Sequence, residues 1–146
     1  SSGRMPRPCW STAKTEMSDS VMRLLVTGGR EFTDRDAVYA ALNAANHKRS
    51  IKVLIHGGAR GADTLADGWA KGLGIERLAF PVTDQEWRLL GKRAGHVRNQ
   101  RMLDHGKPDG VIAFPGGAGT KDQVFRARLA RLPVWEPYSG RKNSDG

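Results

Sequence analysis

Apolar positions along the chain fall into short continuous runs that alternate with stripes at helical spacing. Val21-Met22-Arg23-Leu24-Leu25-Val26-Thr27 is a run of strand character that stops at Gly28-Gly29-Arg30. From Asp34, the apolar residues Ala37, Val38, Ala41, Leu42 and Ala45 recur on one helical face as far as Lys48 and Arg49. Lys52 to His56 predicts a second strand, which runs into Gly57-Gly58-Ala59-Arg60-Gly61-Ala62-Asp63. The helix that follows sets Leu65, Ala66, Trp69, Ala70 and Leu73 on one face, and Gly72 and Gly74 close it. Ile75 to Val82 predicts a third strand. Between Thr83 and Gly106 the pattern weakens, because Gly91 and Gly95 interrupt a continuous helix. A loop or short helix near Gln85 to Leu90 and a helix from about Ala94 to Leu103 are expected there. Asp109 to Phe114 predicts the fourth strand, Lys121 to Arg131 a helix carrying Val124, Phe125, Ala127 and Leu129, and Leu132 to Trp135 a last strand.

Strands that are apolar on both faces and alternate with helices imply a parallel sheet covered by helices on each side. The fold class predicted is α/β, a Rossmann-like three-layer sandwich with a mainly parallel sheet of about five strands. In such sheets ligands bind beyond the carboxyl ends of the strands, where the strand order reverses. Glycine pairs end three of the five predicted strands, at Gly28-Gly29, Gly57-Gly58 and Gly116-Gly117. One such turn has a steric explanation; three at equivalent ends imply a shared site.

The loop Phe114-Pro115-Gly116-Gly117-Ala118-Gly119-Thr120 is the richest of these. Without side chains at Gly116, Gly117 and Gly119, the backbone can turn tightly and let a ligand approach its N–H groups, and Thr120 can cap the next helix. Helix N-termini attract anions. A phosphate cradle and a tight turn that needs glycine for steric reasons are the two readings of the loop taken alone.

Composition narrows the class. The 146 residues carry a formal charge of +9, are 38% hydrophobic and include one cysteine, Cys9. One globular domain over residues 21–137 is expected, with tails at 1–20, including an added leader Ser1-Ser2-Gly3-Arg4, and at 138–146. No apolar run approaches the roughly 20 residues needed to span a bilayer, and a cytoplasmic protein with no membrane partner is expected. The basic excess lies in the C-terminal half with acids interspersed. A solvated basic face and a nucleic-acid surface both fit it. His47, His56, His96 and His105 share no metal-ligand spacing, and neither Gly-x-x-x-x-Gly-Lys-Ser/Thr nor Gly-x-Gly-x-x-Gly occurs. No metal or cofactor is expected. Trp69 and Trp87 read as core or cover, although an aromatic ring could stack on a base.

Thr27-Gly28-Gly29-Arg30, His56 to Asp63, Ala94 to Leu103 and Phe114 to Thr120 together resemble the YspA/YpsA-related branch of the SLOG superfamily, over roughly residues 22–136. That superfamily also holds the lonely guy phosphoribohydrolases and the DNA-processing protein A. The resemblance implies a Rossmann-like fold that binds a nucleotide or nucleotide-derived molecule. In the phosphoribohydrolases a Pro-Gly-Gly-x-Gly-Thr loop binds phosphate, which Pro115 to Thr120 match, and a glutamate three residues later assists cleavage. Here that position is Gln123, which cannot serve as a general base. An arginine four residues before a methionine has its counterpart in Arg98 and Met102.

The expected ligand-binding residues are therefore Gly28, Gly29, Arg30, Gly57, Gly58, Arg60, Gly61, Asp63, Arg98, Asn99, Pro115, Gly116, Gly117, Gly119 and Thr120. Asp63 is either a helix cap or a ligand contact. Binding or sensing of a nucleotide-like small molecule is the first expectation. A phosphoribohydrolase-like hydrolase using Asp63 or Asp122 is the alternative, and single-stranded nucleic-acid binding a further one. A homo-oligomer is left open, because related folds form dimers.

Overall fold

In the computed structural model, residues 21–138 are described; the tail expected over 1–20 and residues 139–146 of the C-terminal one lie outside them. Five strands, β1 (Val21–Thr27), β2 (Ser50–His56), β3 (Glu76–Ala79), β4 (Gly110–Ala113) and β5 (Val134–Trp135), form one all-parallel sheet in the order β3-β2-β1-β4-β5. Between them run α1 (Arg35–Lys48), α2 (Ala62–Leu73), α3 (Asp84–Leu90), α4 (Arg93–Gly106) and α5 (Ala118–Leu129). This is the α/β Rossmann-like sandwich expected from the pattern.

Alternation along β1 explains the three layers. Met22, Leu24 and Val26 point to the face packed by Val38, Ala41, Leu42 and Ala45 of α1 and by Ala62, Ala66, Trp69 and Ala70 of α2. Leu25 points the other way, with Val53, Ile55 and Val111, onto Met102 and Leu103 of α4 and Ala127 of α5. The strand order reverses at β1, whose neighbours are β2 on one side and β4 on the other. The crevice of such a sheet therefore opens between the carboxyl ends of β1 and β4.

Several element ends differ from expectation. β3 stops at Ala79 and is mostly exposed, as an edge strand can be. α3 is a true helix, begun by a Thr83–Glu86 capping box and ended at Gly91, whose φ of 59° only glycine adopts freely. Gly95 does not interrupt α4, because it falls in the first turn, where little helix precedes it. α5 starts at Ala118, three residues before the expected Lys121. Tyr138, assigned to the tail, is anchored: its hydroxyl donates to Ala37 O at 3.0 Å and its ring lies 6.1 Å from that of Phe114. No helix among the described residues is long and apolar enough to cross a membrane.

Candidate functional site

The turn after β1 is the hub of the site. Gly29 N–H donates to Pro115 O at 2.9 Å, and Gly29 O accepts from Phe32 N–H at 3.2 Å and Ala62 N–H at 3.4 Å. One residue thus ties the β1 turn to the β4 loop and to the start of α2. Close packing explains most of the surrounding glycines. Gly28 is wedged between Ala62 and Phe114, and a Cβ on Gly61, which also has φ 77°, would enter the carbonyls of Gly29 and Arg30. A Cβ on Gly116 would strike the Thr120 hydroxyl and come within 2.6 Å of Gly29 N. Gly117 and Gly119 differ: an added Cβ would meet nothing within 4 Å at either, and both are exposed.

Thr120 does not cap α5. The chain has already turned where Gly116 seats on Gly29, so Ala118 and Gly119 are free to take helical angles, and Thr120 lies buried inside the first turn. The N-cap is Gly117, with no side-chain bond, whereas α1 is capped by Asp34 and α3 by Thr83. The first intrahelical bond of α5 is Lys121 N–H to Gly117 O at 3.1 Å. The N–H groups of Ala118, Gly119 and Thr120 precede it and have no intrahelical acceptor. They open beside exposed glycine backbone, at the positive end of the helix dipole.

The β2 turn is held from α2. Asp63 Oδ2 accepts from Gly57 N–H at 3.0 Å and Ala59 N–H at 3.3 Å, so Asp63 folds back over the turn and does not cap its own helix. Burial pushes the Asp63 carboxyl above its ordinary value, against the opposing pull of His56, Arg98 and the two N–H donors. Its Oδ1 is buried with no hydrogen-bond partner among the described residues. His56 Nδ1 accepts from Gly58 N–H at 3.0 Å, which leaves the ring proton on Nε2, where Asp67 Oδ1 lies at 2.9 Å. Gly58 itself packs against Pro81 in the connection from β3 to α3. Asp67 escaped sequence reasoning; its place one turn after Asp63 on α2 is the signal that could have found it.

Arg98 and Asn99 on α4 join the turns to α5. Arg98 Nη1 donates to Gly57 O at 2.6 Å and Nε to Asn99 Oδ1 at 3.2 Å. Asn99 Nδ2 donates to Gly119 O and to Asp122 Oδ2, both at 3.1 Å. Asp122 Oδ2 also accepts from Arg126 Nε at 2.7 Å. Burial alone would raise Asp122, but the bonds from Arg126 and Asn99 outweigh it and hold the carboxyl below its ordinary value. Burial lowers the Arg98 pKa; the Asp63 charge opposes this, and the nearby Arg30 and Arg101 add to it. Arg30 and Arg98 are thus cations crowded at one place, while Arg101 is paired with Glu86 at 3.0 Å. Arg30 also lies over the Trp87 ring, 5.8 Å from its centre. Arg60 is exposed and makes no ion pair among the described residues. The structure therefore brings together Gly28, Gly29, Arg30, Gly57, Gly58, Gly61, Asp63, Arg98, Asn99 and Pro115 to Thr120, and leaves Arg60 at the edge.

Gln123 points inward from α5 and is fully buried, with neither amide atom bonded among the described residues. A neutral amide is what such a position tolerates, because an ionised carboxylate there would be desolvated without a partner. A separate depression of about 520 Å³ lies on the outer side of α4, lined by Arg93, His96, Gln100, Arg101, Asp104 and Arg126 among others. It is apart from the glycine turns, and Glu86 and Asp122 already neutralise two of its arginines. The glycine turns, with unpaired donors and cations, are the better candidate. No cluster of three or more His, Cys, Asp or Glu able to hold a metal occurs among the described residues.

A family model described as the YspA, cpYpsA-related SLOG family matches residues 22–86, from β1 into α3. A gene 61 protein of Mycobacterium phage D29 is 41% identical over 119 residues, covering 77% of this chain and 93% of that protein. The chain belongs to the YspA, cpYpsA-related SLOG family. Membership in this SLOG family accords with the five-stranded parallel sheet and suggests, at a general level, binding or activity related to nucleotides. The matched segment contains the β1 and β2 turns, with Gly28, Gly29, Arg30, Gly57, Gly58, Arg60, Gly61 and Asp63. The β4 loop and Arg98 lie beyond that segment.

Proposed function

We propose that the chain binds or senses a nucleotide or nucleotide-derived ligand through the crevice between β1 and β4. The phosphate lies on the N–H groups of Ala118, Gly119 and Thr120, and Arg98 and Arg30 supply the countercharge. Gly117 and Gly119 carry this reading. The packing around them does not call for glycine, since an added Cβ would meet no atom within 4 Å at either position, and close approach of a ligand does. The ligand-binding set is the residues gathered at the turns, with Arg60 reaching in from the rim.

A second reading, hydrolysis of an N-glycosidic bond in a nucleoside monophosphate, is favoured by Asp63. A buried carboxyl raised above its ordinary value beside a cleft is the profile of a proton donor. Against it, Asp63 and Asp122 are both engaged by protein donors, and Gln123 offers no carboxylate.

The two readings separate in one experiment. The chain is titrated with inorganic phosphate, ribose 5-phosphate, nucleosides and nucleoside monophosphates, following both thermal unfolding and release of free base. Stabilisation by the phosphorylated compounds and not by nucleosides, without base release, is expected. No stabilisation by any phosphorylated compound refutes the phosphate cleft, and base release lost on Asp63→Asn establishes the hydrolase.

A further inference from the structure

We infer that Trp87 is the platform for an aromatic base and that Arg30 occupies its face until a ligand's phosphate draws the guanidinium away. The inference rests on the phosphate-cleft reading and adds to it that the ligand carries a planar heterocycle, so that sugar phosphates are second-rate ligands.

Trp87 sits on α3, and that helix is fixed in place by interactions with the elements that form the cleft. Thr83 and Glu86 close its first turn in a capping box. Glu86 then holds Arg101 of α4 at 3.0 Å, three residues after Arg98. The connection leading into α3 backs onto the β2 turn, where Pro81 packs against Gly58. α3 buries no residue of its own, and Trp87 is 38% exposed. A large aromatic is therefore held at the rim of the cleft without serving the core; Trp69, by contrast, is buried and bonded to Asn43.

Arg30 links the ring to the phosphate cradle. It follows Gly29, whose N–H is bonded to Pro115 O, and its guanidinium lies 5.8 Å from the Trp87 ring centre. No carboxylate pairs with Arg30 among the described residues. A cation parked on an exposed ring is held weakly, whereas a charge-assisted bond to phosphate is stronger. A phosphate on the α5 start would turn Arg30 toward itself and bare the ring, and a base tethered to that phosphate then stacks in the vacated place. Every base has a π-face, so the arrangement selects for a base without choosing among bases.

The test compares ribose 5-phosphate with AMP, GMP, CMP and UMP on the wild-type chain and on Trp87→Leu, Trp87→Phe and Arg30→Ala, by calorimetry and tryptophan emission. Stacking on an aromatic side chain is worth about 5-fold or more in affinity per base, so the monophosphates should bind at least that much more tightly than ribose 5-phosphate. Trp87→Leu should abolish this advantage while binding ribose 5-phosphate at least as tightly as the wild type, since Arg30 no longer has to leave a ring, and Trp87→Phe should retain part of the advantage. Arg30→Ala should weaken every phosphorylated compound alike. Quenching of emission by the monophosphates should disappear in Trp87→Leu. If ribose 5-phosphate and the monophosphates bind equally, or if Trp87→Leu weakens both equally, the base platform is refuted and the phosphate cleft stands. If none of them binds, the phosphate cleft fails and the platform with it.

Discussion

Replacing Gly119 by alanine separates what the fold needs from what a ligand needs. Gly119 is the second residue of α5, and a Cβ there meets nothing within 4 Å. Alanine in a helix is favoured over glycine by roughly 0.5–1 kcal/mol. For a domain of this size that raises Tm by about 2–5 °C. The same methyl stands beside the N–H groups assigned to the phosphate. With AMP at a hundred times its wild-type Kd, ligand stabilises the wild type by about 2.7 kcal/mol. A ten-fold loss of affinity in Gly119→Ala leaves about 1.4 kcal/mol at the same concentration, so the ligand-induced shift is roughly halved. Differential scanning fluorimetry with and without AMP reads both effects. Gly116→Ala is the contrast: its Cβ would press on Gly29 backbone at 2.6 and 2.9 Å and part the Gly29–Pro115 bond. Overpacking together with the lost bond costs about 2–4 kcal/mol. A Gly119→Ala chain that melts several degrees lower, or one that melts higher with an undiminished AMP shift, would refute the reasoning.

Three further outcomes are expected. Asn99→Ala removes a buried amide that bonds Arg98, Gly119 and Asp122, and it should cost about 2–4 kcal/mol by chemical denaturation, since bonds to charged groups are worth more than neutral ones. Gln123→Glu places a carboxylate where the amide is fully buried; its raised pKa makes the loss largest at pH 7 and progressively smaller toward pH 4, whereas Gln123→Met should be close to neutral. Asp122 has a folded pKa below its ordinary 3.8, so its contribution is present above that value and lost as pH falls through the folded one; the stability gap between wild type and Asp122→Asn should be open at pH 7 and close in acid.

β1, β2 and β4 were legible because they are largely buried and so read as apolar runs, each leading into a glycine turn. The start of α5 was not, because Ala118 and Gly119 carry no start signal and their helical turn follows from Gly116 seating on Gly29, a contact distant in sequence. Region 83–106 was blurred for another reason. α4 buries only Ala94, Asn99, Met102, Leu103 and Gly106, too narrow a stripe to outweigh two glycines. Asn99 looks out of place in a helix until its bonds to Arg98, Gly119 and Asp122 are seen. Asp63, at a helix head, reads as either a cap or a ligand contact; only the fold shows it closing over Gly57 and Ala59. The Arg30–Trp87 contact joins the β1 turn to α3, which no local pattern relates.

Backbone amide shifts test the central claim most directly. A ¹⁵N-labelled chain titrated with AMP should show its largest changes at Gly117, Ala118, Gly119 and Thr120, with Gly29 and Gly57 following. Shifts confined to Arg93, His96, Arg101 and Arg126 on the outer side of α4, with the glycine amides unmoved, would contradict it.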